Sequence, residues 1–60
     1  MKVTLEASSA NKHTITVRYP PNKKVIMSPG DTLHLTLDKL DDLRIADQRA
    51  EDTLLISYEA

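Results

Sequence analysis

The chain has no cysteine, no phenylalanine, no tryptophan and one glycine in 60 residues. Without cysteine, neither a disulfide framework nor a thiolate metal site can staple so short a fold. A single glycine, Gly30, excludes a glycine-rich loop that cradles phosphate. Tyr19 and Tyr58 are the only aromatic residues and both fall on inward positions, so the stacking platform of a single-strand nucleic-acid binder is not expected. No apolar run exceeds three residues, as in Val25-Ile26-Met27 and Leu54-Leu55-Ile56, so no helix can span a membrane. The N-terminus lacks the apolar stretch of a secretory signal, and the expectation is a chain without an export address, cytoplasmic by default.

What is present is a globular composition, 40% hydrophobic and 28% charged. The length predicts one small β domain over residues 1–60. A chain of this size buries only about 60% of the surface its unfolded form exposes, so its stability margin is thin. The formal charge of −1 conceals a bipolar chain. Residues 1–30 carry five basic groups (Lys2, Lys12, Arg18, Lys23, Lys24) and one acid, Glu6, whereas residues 31–60 carry three basic groups and eight acids. The halves either interleave in the sheets and neutralise one another or leave opposite faces that favour association.

Alternation of apolar and polar residues marks strands at Lys2 to Ala7 and at His13 to Tyr19. The short polar loop Ser8 to Lys12 predicts that these two form an antiparallel hairpin. Pro20-Pro21-Asn22 stops the second strand, because proline cannot donate to a ladder. A short apolar strand follows at Lys24 to Met27. Ser28-Pro29-Gly30-Asp31 carries type II turn chemistry, with proline presetting φ and glycine supplying the positive φ. Thr32 to Leu37 alternates most cleanly, with Leu33, Leu35 and Leu37 on one face. Between Asp38 and Asp52 the pattern predicts a tight turn at Lys39 to Asp42, a strand at Leu43 to Ala46 and a polar loop. The alternative is one short helix within 39–51, making the fold α+β. Thr53 to Glu59 is a last strand with Leu54, Ile56 and Tyr58 inward and Leu55 outward. The expected fold is all-β: a minimal antiparallel sandwich or small open barrel of about six short strands.

Chemistry-bearing residues are sparse. His13 and His34 are the only histidines. His34 falls on the threonine face of its strand, which predicts an exposed or hydrogen-bonded ring. Ser8, Ser9, Ser28 and Ser57 lack any nucleophile motif, and 60 residues seldom enclose a catalytic pocket. The expectation is a protein that is not an enzyme and uses no cofactor. Asp38, Asp41 and Asp42 form an oxygen-rich turn, but without the glycine and the bidentate acid of a calcium loop, so no metal is expected.

The stretch Val25 to Tyr58 joins a Pro-Gly-Asp turn and an alternating leucine strand to Leu-Asp-Lys-Leu-Asp-Asp-Leu-Arg-Ile and a closing Leu-Ile-Ser. In this β patterning it resembles the short β-rich modules near the N-termini of large bacterial biofilm adhesins. It lacks the aromatic-ended final strand usual there, and no functional residue is carried over.

The functional expectation is a non-enzymatic β module acting by protein–protein contact. Its partner is itself, as a homo-oligomer, or a larger protein, in a phage or mobile-element accessory protein, a virion component or a bacterial surface protein. Small sheets expose edges that template strand addition, and the terminal strands are the expected edges. The candidate partner-binding residues are Lys12, Arg18, Lys23, Lys24, Leu55, Ser57 and Glu59. The alternative is a small nucleic-acid-binding or regulatory protein using the basic first half, disfavoured by the eight acids of the second. No membrane contact is expected.

Overall fold

In the computed structural model, which describes residues 1–59, six strands form two three-stranded antiparallel sheets. The strands are β1 (Lys2–Ala7), β2 (Ile15–Tyr19), β3 (Lys23–Met27), β4 (Thr32–Thr36), β5 (Arg44–Asp47) and β6 (Leu54–Glu59). Sheet A has the order β4-β1-β6 and sheet B the order β3-β2-β5. The protein is a small all-β sandwich, as the alternation predicts. The segment between Asp38 and Asp52 holds a single turn of 3-10 helix, Leu40–Asp42, followed by β5.

The core follows from the period-two pattern. Val3, Leu5 and Ala7 from β1 meet Ile15 and Val17 from β2, and all five are at most 4% exposed. Met27, Leu35 and Leu37 complete the buried cluster, with Met1, Tyr19, Val25, Leu33, Leu40, Leu43 and Leu54 packed against it. The first residue extends the β1–β4 ladder: its carbonyl accepts the Leu37 N–H at 2.9 Å and its ammonium donates to the Leu37 carbonyl at 2.6 Å.

Two expectations about pairing are overturned. β1 and β2 are not a hairpin. β1 pairs with β4 (Leu5 opposite Leu33) and with β6 (Leu5 opposite Ile56), while β2 pairs with β3 and β5. Both strands present an apolar face, and those faces bury each other more completely by stacking across the core than by lying side by side. The chain between them, residues 8–14, therefore arches from sheet A to sheet B. Nor does the first strand form an edge: β1 and β2 are the central strands, and of the two terminal strands only β6 lies at a margin.

Among the described residues the one hairpin between consecutive strands is β2–β3, closed by Pro20 to Asn22, with Tyr19 opposite Lys23. The turn into β4 has the expected chemistry. Asp31 N–H donates to the Ser28 carbonyl at 3.0 Å, and Gly30 adopts φ +88°. The Asp31 carboxylate accepts the Ser28 N–H at 2.8 Å, and the Gly30 N–H donates to the Ala7 carbonyl at 2.9 Å, fastening the turn to the end of β1. Four residues between β3 and β4 stack these two edges, which leaves β5 and β6 together on the opposite side of the sandwich.

Candidate functional site

The β5–β6 side is where the core stops short. Cross-strand partners share a face, so Leu54, Ile56 and Tyr58, opposite Ala7, Leu5 and Val3, point to the interior. Ile45, opposite Val17, does the same from sheet B. Yet Ile56 is 42% exposed, Tyr58 58% and Ile45 40%. These side chains have the orientation of core residues and the exposure of surface residues. On the other face of β6, Leu55 is 63% exposed, as its outward position predicts. β6 is hydrogen-bonded on one side only, to β1, and carries one charged residue, Glu59.

The loop leading into β6 is fixed by a polar clamp. Asn11 is 8% exposed, and its amide makes a two-bond ring with Thr53: Nδ2–H donates to the Thr53 carbonyl at 2.9 Å and Oδ1 accepts the Thr53 N–H at 2.7 Å. Next to it, Asp52 is 6% exposed and receives the N–H groups of Lys12 and His13 at 3.0 and 3.1 Å. The His13 ring Nδ1 lies 3.2 Å from Asp52 Oδ2 and 3.5 Å from Glu51 Oε1. The Lys12 N–H holds the Asp52 carboxyl below its ordinary value of 3.8, burial pushes the other way, and the His13 ring and N–H reinforce the lowering. Gln48 Nε2–H donates to the Asp52 carbonyl at 3.0 Å. The His13–Asp52 pair thus joins the β1–β2 arch to the β5–β6 loop. Among the described residues no three His, Asp or Glu side chains are grouped to hold a metal ion.

The predicted partner-binding residues separate into three places. Leu55, Ser57 and Glu59 share the outer face of β6, opposite Glu6, Thr4 and Lys2. Lys12 stands in the clamp loop, with its backbone used and its side chain exposed. Arg18, Lys23 and Lys24 come together at the far end of sheet B. Arg18 lies directly opposite Lys24 on one side and opposite Arg44 on the other, so three cations form one row across the outer face. Among the described residues no lysine or arginine makes an ion pair; the ion pairs present both involve His13.

His34 stands on the outer face of sheet A with its Nδ1 3.2 Å from Thr4 Oγ1, an exposed hydrogen-bonded histidine. Sequence reasoning missed Asn11 and Asp52, which read as ordinary loop residues, and Arg44, whose place beside Arg18 depends on the β2–β5 register. No protein-family model, curated protein or solved structure matches the chain.

Proposed function

We propose that this chain is a non-enzymatic interaction module that works by protein–protein contact, and that β6 joins two copies edge to edge. The observation that supports the reading is the contrast within β6, whose Ile56 and Tyr58 face the interior yet are 42% and 58% exposed. A second copy suits this edge. Antiparallel pairing of two β6 strands about Ile56 sets Ile56 against its own copy, Leu54 against Tyr58 and Leu55 against Ser57. Glu59, the only charged residue of the strand, then meets Thr53, so no like charges face each other. The pairing is isologous, satisfies the free backbone groups of the edge and continues sheet A into six strands.

The bipolar charge of the sequence does not steer this contact. With one charged residue in β6, association should change little as the Debye length shrinks from about 10 Å at 0.1 M salt to about 3 Å at 1 M. Sedimentation equilibrium near about 100 μM should show a dimer, with a melting temperature that rises with concentration. Ile56→Lys and Ile56→Glu should each be monomeric with native strand content, and their equimolar mixture should recover the dimer. A wild-type monomer, or a mixture that stays monomeric, defeats self-pairing and leaves a heterologous protein as the occupant of the edge.

A further inference from the structure

The Lys24–Arg18–Arg44 row is an arrangement the fold does not need. Like charges directly opposite one another in a sheet are destabilising, and here they occur twice in succession. All three residues are exposed, and no acid within ion-pair distance neutralises them among the described residues. Beside the row, the strand ends border an open notch of about 370 Å³, lined by Arg18, Lys23 and Arg44 with Tyr19, Pro20 and Asp42 among the others. Tyr19 and Pro20 give it an apolar wall, and Asp42, from the 3-10 turn, is the acid it contains. A register shift between Thr16 and Val17 bulges β5 one step beyond the Arg18–Arg44 pair. Bulges re-aim neighbouring side chains and recur beside functional sites.

From this we propose that the outer face of sheet B, at the Arg18–Arg44 end, binds a compact anion carrying two linked phosphate-type groups. Adjacent strands lie about 4.8 Å apart, so the three cationic stems start within about 10 Å of one another. Two arginines offer planar forks that grip phosphate oxygens bidentately, and Lys24, on the same face, adds a point charge. The row is three strands wide and ends there, because both β3 and β5 are edges. A long polyanion continuing past the Arg44 end would run between Asp47, opposite Thr16, and Asp42, which flank Arg44 along the chain. The charge pattern therefore fits a diphosphate group better than a nucleic-acid backbone. This inference is independent of edge pairing, since β6 lies in the other sheet.

The test is an NMR titration at constant ionic strength, with inorganic pyrophosphate and inorganic phosphate as probes. Pyrophosphate should shift the amides of Arg18, Lys24 and Arg44 saturably and bind at least about tenfold more tightly than phosphate. Arg18→Gln should weaken pyrophosphate at least about tenfold, while Lys12→Gln, in the arch that precedes β2, leaves it unchanged. The folded Arg18→Gln protein should melt no lower than wild type, because the row loses its central repulsion. If that variant does not fold, Lys24→Gln and Arg44→Gln carry the same expectation. Equal, unsaturable shifts with both probes would show ionic screening alone and overturn the proposal. Lys12→Gln weakening binding as much as Arg18→Gln would overturn the location. An oligothymidylate that displaces pyrophosphate at tenfold lower concentration would overturn the compact anion in favour of a nucleic-acid strand.

Discussion

Replacing Asn11 by alanine should destabilise the protein by roughly 2 kcal/mol, at about 1 kcal/mol net for each of the two hydrogen bonds it makes to Thr53. Both bonds are short, 2.7 and 2.9 Å, and Asn11 is buried, so no water stands ready to replace the amide from its own side. The Thr53 carbonyl still accepts the Ser8 N–H at 3.2 Å, and Thr53 is exposed, so water reaching its freed N–H keeps the loss from rising to the full desolvation penalty of orphaned groups. A 60-residue domain is stable by roughly 3–9 kcal/mol at typical values of 0.05–0.15 per residue, so this single amide controls a large share. The melting temperature should fall by about 8–16 °C, at 4–8 °C per kcal/mol for a domain of this size.

Asn11→Asp discriminates the hydrogen-bond argument from one based on side-chain volume. The aspartate keeps an acceptor for the Thr53 N–H but sets a carboxylate oxygen against the Thr53 carbonyl, so at neutral pH it should be at least as damaging as alanine. Protonating that carboxyl restores a donor, and the variant should regain stability relative to wild type as the solution is acidified. Thermal melts followed by far-UV circular dichroism, with hydrogen exchange at the Thr53 amide, measure both effects. An Asn11→Ala protein within about 0.5 kcal/mol of wild type, the range of an ordinary surface substitution, would refute the reasoning.

Two further outcomes follow from the loops. Because the folded Asp52 carboxyl titrates below 3.8, its contribution is complete above that value and is lost as the pH falls through the lower, folded value. Asp52→Asn should therefore melt below wild type near neutrality, and the gap should close in melts taken progressively below pH 3.8. Gly30→Ala should lose about 1 kcal/mol from its positive φ alone, since the added Cβ would meet only Ser9 Cβ at an ordinary 3.9 Å. Gly30→Asn should lose less in the same denaturant titration, asparagine tolerating that region better; equal stability of alanine and glycine would remove the backbone argument.

Alternation reveals which face a strand buries and places the strands at Lys2 to Ala7 and from Thr32 correctly, while proline and glycine chemistry places the turn between Ser28 and Asp31. It carries no information about partners. Val3, Leu5 and Ala7 alternate in the same way whether Ile15 and Val17 lie beside them or across from them, and only the whole core decides for stacking. The same gap hides the functional features. Lys24, Arg18 and Arg44 are twenty-six residues apart at their widest separation and ordinary as single outward charges; their alignment exists only through the β2 pairings. Ile56 and Tyr58 read as core because the period is right, whereas coverage by an opposing layer is a property of the assembled sandwich. Asn11 and Asp52 lie in segments with no period, where hydrogen-bond partners some forty residues away leave no local trace.

The pairing of β1 with β6 places Lys2 directly opposite Glu59, so the chain enters and leaves the described fold on neighbouring strands at one end of sheet A. Such a geometry is that of a graftable cassette. Inserted between two adjacent strands of a host protein, the domain would hang from a gap of about 5 Å and need little linker on either side. The same proximity allows a short loop to tie the ends into a hairpin and the chain to be reopened in the exposed Pro20 to Asn22 turn. A permutant cut there would begin with β3 and carry β1 and β6 as consecutive strands, turning the most distant pairing in the sequence into the most local one.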